Sequence, residues 1–300
     1  MLPVIFGIAS TSLTKDEISL LQNHQIWGII LFTRNIVSKS QTIDLTNNIR
    51  FYSQNKNINI LIDEEGGRIT RLKKIYQTPL KSAMQLGQIL TKDTQLGTIE
   101  IINNYTEIAT RLQTLGINIA CSPVADLTMP VTHDIIGDRS FSDNPEIVIK
   151  AVKIAADTLL KNNITPIIKH IPGHGRSTLD SHLALPQITT PLDTLAKTDF
   201  KVFKNLNSYP LAMTAHIIYH ALDNQKPITL SKIAIKYIKT NIAFKGKIIT
   251  DDISMKALSE YSLKEIISFA LQAKCDYILH CNGDFKEMSQ IIAILNQANE

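Results

Sequence analysis

The sequence predicts an α/β protein with a (β/α)8 barrel of the TIM type, folded as a single domain over residues 1–300. Eight short apolar runs alternate with longer amphipathic segments along the chain. Most of these runs are continuously apolar, which is typical of parallel strands that are covered on both faces. The length of 300 residues accommodates such a barrel, which usually needs about 250 residues. We expect little chain to be left for a second domain.

The predicted strands are rich in Ile, Val and Leu, and each is separated from the next by enough residues for a helix. In chain order they are Pro3–Ile8, Trp27–Phe32, Ile58–Ile62, Ile117–Cys121, Pro166–Lys169, Leu211–Ala215, Lys247–Thr250 and Asp276–Cys281.

The predicted helices lie between these runs, and several begin with residues that cap helix N-termini. In chain order they are Thr14–His24, Ser40–Asn55, Ile99–Leu115, Pro145–Asn162, Thr194–Asn205, Ser231–Thr240, Ser262–Lys274 and Asp284–Ala298. Thr14 and Ser262 are each followed three residues later by Glu, which is the pattern of a capping box. Asp143 is the predicted cap before Pro145.

A doubly wound sheet is the alternative α/β architecture. Such a sheet usually carries a glycine-rich phosphate-binding turn after its first strand. Here the first strand is followed by Ala9-Ser10-Thr11, without the GxGxxG pattern. The barrel is therefore the preferred prediction.

Composition excludes several classes of protein. Hydrophobic residues make up 44% and charged residues 19% of the chain, which excludes a disordered protein. The net charge of +4 is small and spread along the chain, so we expect no nucleic-acid partner, although it weakly suits an anionic substrate. Three cysteines without CxxC spacing fit a reducing compartment. Without a basic leader or an apolar run of about 20 residues, we expect a cytoplasmic protein with no membrane partner.

Two connections are longer than a minimal turn, and both follow strands at the end of the barrel where such enzymes place their chemistry. They are Ser122–Asn144 and Ile171–Pro186. We expect the second to be mobile and to close over the substrate.

Asp251 follows the seventh predicted strand. A carboxylate held rigidly at the end of a buried strand suits a nucleophile or a ligand. The alternative is that Asp251 or Asp252 caps a helix that follows. Asp252 is the better candidate for the cap and Asp251 for the catalyst.

Asp180 and His182 are separated by one residue, so in an extended loop their side chains point the same way. A carboxylate beside an imidazole orients it and stabilises its protonated form, as a histidine acid/base requires. The alternative is that both are ordinary polar residues of an exposed loop. Their place in a Gly- and Pro-containing loop after a barrel strand favours a catalytic role.

Asp63 follows the third strand, where it could accept hydrogen bonds from sugar hydroxyls or hold a substrate amine or a metal. Arg68 and Arg71 are three residues apart and on a helix would face the same side. The alternative for both is a local ion pair with Glu64 or Glu65.

Lys169 and His170 end the fifth strand, where the plainer alternative to substrate binding is a salt bridge in the pocket wall. The glycine pairs at Gly66-Gly67 and at Gly173 and Gly175 are expected to supply unusual backbone torsions at tight turns.

A metal site is a rival interpretation of the polar residues after the strands. Its candidate ligands are His170, His174, His182, His216, Asp180 and Asp251. Neither HExxH nor His-x-His after the first strand is present. We therefore expect no metal and no cofactor.

Taken together, the motifs resemble glycoside hydrolase family 3, specifically its single-domain bacterial β-N-acetylhexosaminidases. The resemblance extends from about Gly28 to Asn282, and its most specific part is the Lys-His-x-Pro-Gly-His-Gly motif with Asp-Ser-His downstream. The matching stretches are Gly28–Asn35, Ile62–Arg68, Lys169–Gly175, Asp180–His182, Met213–His216 and Thr250–Met255.

The resemblance implies a role for each matching residue. Asp251 corresponds to the nucleophile, His182 to the general acid/base and Asp180 to its carboxylate partner. The sugar-binding positions correspond to Asp63, Arg71, Arg139, Lys169 and His170. The departures from the family pattern lie outside this catalytic set, at Glu64, Ile171 and Lys274.

The resemblance also implies an activity. We expect a cytoplasmic, monomeric exo-β-N-acetylglucosaminidase that removes terminal β-linked N-acetylglucosamine, with retention, from GlcNAc-anhydroMurNAc muropeptides during cell-wall recycling. The alternatives are a β-glucosidase or a glycoside phosphorylase on the same scaffold, and a metal-dependent barrel hydrolase.

Overall fold

A computed structural model describes residues 1–129, 136–177, 179 and 184–298. Eight parallel strands close into a barrel in the order β1-β8-β7-β6-β5-β4-β3-β2. Their bounds are β1 Leu2–Gly7, β2 Ile26–Leu31, β3 Asn59–Ile62, β4 Ile119–Ala120, β5 Thr165–Ile171, β6 Leu211–Thr214, β7 Lys247–Asp252 and β8 Tyr277–His280. The predicted barrel is confirmed, and each predicted apolar run coincides with one of these strands.

The helices of the described chain surround the barrel. Their bounds are α1 Lys15–Asn23, α2 Lys39–Tyr52, α3 Ala83–Lys92, α4 Thr94–Thr114, α5 Pro145–Lys161, α6 Leu192–Lys197, α7 Asp199–Asn205, α8 Lys232–Thr240, α9 Leu263–Ala273 and α10 Phe285–Gln297. No helix in this part of the chain is long and apolar enough to cross a membrane.

The helix predictions differ from the structure in three places. Helix α3 was not predicted, although Ser82 and Gln85 form a capping box at its start. The segment expected to be one helix up to Asn205 is two, because the chain leaves the helical conformation at Thr198. The cap of α5 is Asn144 and not Asp143, since the Asn144 side chain accepts the N–H of Glu146. The capping boxes predicted at the starts of α1 and α9 are present.

A separate apolar cluster fills the barrel interior, inside the larger core that lies between strands and helices. All eight strands contribute to it, and its buried members are Ile5, Trp27, Ile30, Leu61, Ile119, Cys121, Ile167, Leu211, Met213, Ile249 and Leu279. Near the amino-terminal end of the barrel Trp27 stacks on Tyr277, with 4.2 Å between ring centroids. Apolar packing thus fills the amino-terminal end of the interior.

Two small strand pairs lie at the carboxyl-terminal end of the barrel. Glu64–Gly66 and Ile69–Thr70 form an antiparallel hairpin directly after β3. Gln187–Ile188 pairs in parallel with Ile218–Tyr219, which links the connections that follow β5 and β6. These additions shape the rim of the site.

Candidate active site

A cavity of about 230 Å³ opens at the carboxyl-terminal ends of the barrel strands. It is lined by Ile30, Phe32, Asp63, Glu65, Ile69, Arg71, Ile136, Arg139, Lys169, His170, His174, Met213, Asp251, Asp252, Met255, Leu279 and Cys281. Six of the eight residues predicted from the sequence therefore share one cavity. The other two, Asp180 and His182, lie outside the described residues.

Four charged side chains on one side of the cavity form an ion-pair cluster. Lys169 Nζ lies 2.8 Å from Asp63 Oδ1 and 2.6 Å from Glu65 Oε1. Arg139 binds Glu65 with two parallel hydrogen bonds of 2.8 Å, from Nε to Oε2 and from Nη2 to Oε1. Bidentate geometry of this kind fixes the orientation of both groups. The salt bridge suggested as the plainer alternative for Lys169 is present, and it forms part of the cavity wall.

Burial and charge act in opposite directions on this cluster. Burial alone would raise the pKa of both carboxyls, but Lys169 with Arg71 lowers the pKa of Asp63, and Arg139 with Lys169 lowers that of Glu65 to about 2. Burial would also lower the pKa of Lys169 and Arg139, but the carboxylates raise it above the ordinary value. All four groups are therefore charged at neutral pH.

Arg71 contacts Asp63, with 3.3 Å between Nη2 and Oδ2, and its guanidinium lies 5.7 Å from the centroid of the Phe32 ring. Arg68 and Arg71 do not lie on a helix, because the chain turns back as the hairpin after β3. Arg68 instead pairs with Asp138 at 2.6 Å. The two arginines therefore have separate roles, and only Arg71 lines the cavity.

The buried side chain of Glu64 holds together the hairpin that follows β3. Its carboxylate accepts hydrogen bonds from the Thr70 hydroxyl and from the backbone N–H of Arg71 (2.8 Å) and Leu72 (3.3 Å). Burial raises its pKa, although these three donors act against the shift. Glu64 thus holds the backbone that carries Arg71, and it pairs with neither arginine side chain in the way the sequence alternative required.

Asp126, in the connection after β4, organises the loop that follows β5. Its Oδ1 accepts the backbone N–H of His170 at 3.1 Å and of His174 at 2.7 Å, and its Oδ2 lies 2.7 Å from His170 Nδ1. Burial would raise the pKa of Asp126, but His170 lowers it. Because the carboxylate is an acceptor, Nδ1 carries the proton, and Nε2 is the nitrogen left for the cavity that His170 lines.

His174 follows in the same loop and also lines the cavity. Burial and the neighbouring His170 lower its pKa to about 4. Its imidazole is therefore neutral at neutral pH, and it lies edge-on to the ring of His170 with 5.5 Å between centroids.

Asp251 lies near the end of β7, where its side chain stays partly accessible from the cavity. Its Oδ1 accepts the backbone N–H of Asp252 at 2.8 Å. Burial by itself would raise its pKa, but His170 and this N–H hold the pKa below the ordinary value. Asp251 is therefore ionised at neutral pH, which is the state a nucleophilic carboxylate needs.

The helix-cap interpretation of Asp252 is wrong. The short 3-10 turn Lys256–Leu258 begins after Met255 and has no side-chain cap. Asp252 instead accepts the backbone N–H of Ser254 and of Cys281, both at 3.0 Å. It therefore ties the end of β7 to the end of β8.

The glycines of the two motifs act in two different ways. Gly66, Gly67 and Gly173 have positive φ angles of 88°, 56° and 140°, as expected for tight turns. Gly175 does not, and its constraint is space: a Cβ there would lie 1.7 Å from the carbonyl oxygen of Leu127. The loop after β5 therefore packs directly on the loop after β4.

Apolar side chains form the remainder of the cavity wall, among them Phe32, Met213, Met255 and Leu279. A cavity with an apolar wall and a few fixed polar groups is typical of small-molecule sites. Together with an ionised carboxylate at a strand end, this arrangement can bind a sugar ring and supply a nucleophile to it.

The rival metal site was built on six side chains, two of which, Asp180 and His182, are outside the described residues. Among the residues that are described, no group of three or more His, Cys, Asp or Glu side chains is arranged to hold a metal ion. The absence of a cofactor remains an expectation from the sequence.

Sequence reasoning missed two residues of this site, Glu65 and Asp126. Glu65 was considered only as an ion-pair partner of arginines on a helix, because the hairpin that turns it toward Arg139 was not foreseen. Asp126 lies shortly after the fourth strand, and this polar position at a strand end was a usable signal.

Comparison with known proteins identifies the family. The sequence model of the "Glycosyl hydrolase family 3 N terminal domain" matches residues 6–300. A beta-hexosaminidase of Neisseria gonorrhoeae strain ATCC 700825 / FA 1090 is 36% identical over 285 residues, which are 93% of this chain and 78% of that protein.

Two solved structures are similar over nearly the whole chain. NagZ from Neisseria gonorrhoeae, solved in complex with N-trifluoroacetyl-D-glucosamine, has a TM-score of 0.87 at 32% identity, with 98% of this chain and 84% of that chain covered. A family 3 beta-N-acetylglucosaminidase from Paenibacillus sp. str. FPU-7 has a TM-score of 0.91 at 27% identity; the match covers 99% of this chain but 56% of that one. The chain therefore belongs to glycosyl hydrolase family 3, and it is a glycoside hydrolase built on a (β/α)8 barrel.

Proposed function

We propose that this enzyme is an exo-β-N-acetylglucosaminidase that acts with retention of configuration. The observation that carries the proposal is Asp251, an ionised carboxylate at the end of β7 that lines a cavity rich in fixed charged groups. Retaining glycosidases need such a carboxylate on one face of the sugar and a proton donor on the other. Similarity to a beta-hexosaminidase and to a NagZ bound to an N-acylglucosamine supports N-acetylglucosamine as the sugar.

In the proposed first step, a carboxylate oxygen of Asp251 attacks the anomeric carbon and forms a glycosyl ester. The bond from that carbon to the leaving oxygen breaks, and His182 gives its proton to this oxygen. In the second step water attacks the anomeric carbon while neutral His182 takes its proton, and the ester bond to Asp251 breaks. Asp180 orients His182 in both steps. An imidazole suits both roles because its ordinary pKa is near neutrality.

The charged cluster is the proposed binding site for the sugar hydroxyls. A carboxylate offers about four lone-pair directions, so Asp63 can accept from hydroxyl groups while it remains paired with Lys169 and Arg71. Arg139 and Lys169 are locked by their own ion pairs, so little side-chain entropy is lost when the sugar binds. His170 adds the ring nitrogen that Asp126 leaves free for the cavity.

We further propose that the natural substrate is a muropeptide with a terminal β-linked N-acetylglucosamine and that the enzyme works as a cytoplasmic monomer. The resemblance of the motifs to this family supports both the substrate and the cytoplasmic, monomeric state.

The test is to identify the residue that carries the sugar in the trapped intermediate. The enzyme is treated with a 5-fluoro-β-N-acetylglucosaminyl inactivator, digested and examined by mass spectrometry, and we expect the label on Asp251 and none in Asp251→Asn. A label elsewhere, or no label on an active enzyme, would contradict the proposal. Parallel assays of aryl β-glucosides and β-N-acetylglucosaminides, with and without phosphate and a chelator, test the glucosidase, phosphorylase and metal-dependent alternatives.

A further inference from the structure

A chain of buried side chains lies behind Asp251 and outside the cavity. We infer that Thr214, Thr229 and His216 are positioning residues that fix the backbone of the nucleophile. The inference rests on the proposed role of Asp251. Each of the three side chains is fully buried, and none of them is among the residues that line the cavity.

The hydrogen-bonded chain runs from β7 to β6, on to the 3-10 turn before α8, and back to β7 through the residue two positions after β6. The backbone N–H of Asp251 donates to Thr214 Oγ1 at 3.3 Å, and Thr214 Oγ1 lies 2.7 Å from Thr229 Oγ1. Thr229 Oγ1 lies 2.7 Å from His216 Nδ1, and His216 Nε2 lies 3.0 Å from the carbonyl oxygen of Asp252. Three side chains thus connect the N–H of residue 251 to the C=O of residue 252.

The two ends of the chain determine the direction of every hydrogen bond within it. The carbonyl of Asp252 can only accept, so His216 Nε2 must carry a hydrogen. Burial lowers the pKa of His216, so the ring is neutral and Nδ1 is an acceptor. Thr229 then donates to Nδ1, which at 2.7 Å is a nearer acceptor than the carbonyl oxygen of Ala215 at 3.3 Å, and Thr214 donates to Thr229 while it accepts from the N–H of Asp251. Each donor is used once, as a buried polar network requires for stability.

The backbone of residues 251 and 252 is also held from the side of β8. The Asp252 carboxylate accepts the backbone N–H of Cys281 at the end of β8. The backbone of residues 251 and 252 is therefore fixed from β6 through the hydroxyl chain and from β8 through Asp252. Because a misplacement of about 1 Å costs up to about 100-fold in rate, this backbone must be rigid for Asp251 to attack the anomeric carbon.

The experiment compares Thr229→Val, which removes the hydroxyl at nearly constant shape, with Thr229→Ser, which keeps it. The probe is the 5-fluoro-β-N-acetylglucosaminyl inactivator, and the measured quantities are the rate constant of labelling, the fraction of chains labelled at completion, and kcat and KM for an aryl β-N-acetylglucosaminide. Thr46→Val is the control, since Thr46 is a fully buried threonine that donates to the carbonyl of Leu115 at 2.8 Å, away from the cavity.

We expect Thr229→Val to slow labelling and to lower kcat by about 10- to 100-fold, with KM little changed because Thr229 does not line the cavity. All chains should still become labelled at the end. Thr229→Ser should recover most of the rate, and Thr46→Val should label at the wild-type rate whatever its thermal stability.

Three outcomes would overturn the inference. A wild-type labelling rate in Thr229→Val would show that the hydroxyl chain has no part in positioning. A loss of rate matched by a loss of labelled fraction, or reproduced by Thr46→Val, would assign the effect to folding. A wild-type label on a residue other than Asp251 would instead overturn the proposed function, and the positioning role with it.

Discussion

Asp251 illustrates at the residue scale how neighbours overcome burial. Removal of the carboxyl from water favours its neutral form, but His170 and one backbone N–H favour the anion and determine the outcome. Asp63 and Glu65 follow the same logic with Lys169 and Arg139 as partners. Since the pKa of Asp251 is lowered, the nucleophile stays ionised across the neutral range. The dependence of kcat/KM on pH near neutrality must then come from another group, which we propose is His182.

The prediction at this scale concerns His182→Ala. We expect kcat/KM to fall about 100- to 10,000-fold for aryl glycosides with poor leaving groups, because these oxygens need a proton in the transition state. The loss should be much smaller for 2,4-dinitrophenyl glycosides. The measurement is kcat/KM across a series of leaving groups, with His220→Ala as the control because His220 is exposed. Equal losses across the series would contradict a role as proton donor.

At the scale of elements, the site depends on one loop packed against another. The loop after β5 is held by Asp126 at its start, by the Tyr219 hydroxyl on the carbonyl of Gly173 at 2.8 Å, and by Arg176 on Asp199 at 2.7 Å. These contacts fix the part of the loop that carries His170 and His174. The predicted closure of the rest of the loop over substrate stays a prediction, because Thr178 and residues 180–183 are outside the described chain.

The prediction at this scale concerns Asp126→Asn. The amide keeps an oxygen for the two backbone N–H groups but presents an NH2 to His170 Nδ1, so the imidazole must move its proton to Nε2. We expect a loss of about 10- to 100-fold in kcat/KM with little change in thermal unfolding.

The control for Asp126→Asn is Asp157→Asn, because Asp157 accepts a 2.9 Å hydrogen bond from Tyr209 outside the cavity. Unchanged kinetics in Asp126→Asn, or kinetic losses equal to those of the control, would remove Asp126 from the mechanism.

On the scale of the whole molecule, the barrel interior is apolar at one end and ionic at the other. The Trp27 and Tyr277 stack lies near the amino-terminal end, whereas Asp63, Glu65, Lys169 and Arg139 surround the opening. Burying four charges is costly, and the network is favourable only while every member keeps its partner. The stability of the fold therefore depends on the ionisation of the site.

We predict that acid lowers the free energy of unfolding by protonating this cluster. The pKa of Glu65 in the folded protein is about 2, below its value in the unfolded chain, so the folded state gains stability above about pH 5 and loses it as the pH falls toward 2. Glu65 alone contributes about 3 kcal/mol to this dependence, and Asp63 acts in the same direction. Glu64, whose pKa is raised, acts in the opposite direction.

Urea unfolding between pH 7 and pH 2.5 measures this dependence. We expect Glu65→Gln to be less stable than the wild type at pH 7 and to lose less stability on acidification. Glu146→Gln, which removes an exposed ion pair with Lys201, should keep the wild-type pH dependence. If Glu65→Gln retained that dependence, the cluster would not be its source.

Local sequence patterns were sufficient for the barrel strands and for most of the helices. Strands that are buried on both faces are continuously apolar, so the Ile-rich runs predicted all eight barrel strands. Helix α3 was not predicted, although its buried residues Ala83, Leu86, Gly87 and Leu90 have helical spacing and Ser82 forms a capping box with Gln85. The break at Thr198 was not predicted, because it coincides with a hydrogen bond from Arg176 in the loop after β5 and not with a local sequence signal.

The sequence is enough to predict the barrel and a set of polar residues near its strand ends, because residues that follow parallel strands must lie at one rim of the barrel. Six of these residues meet in one cavity. The tertiary structure alone decided which partner each of them takes. Glu65 binds Arg139, Asp126 binds His170 and Thr214 connects to His216 through Thr229. Each of these hydrogen bonds joins residues at least 13 positions apart in the sequence, so the distance between donor and acceptor is a property of the assembled barrel that no local pattern contains.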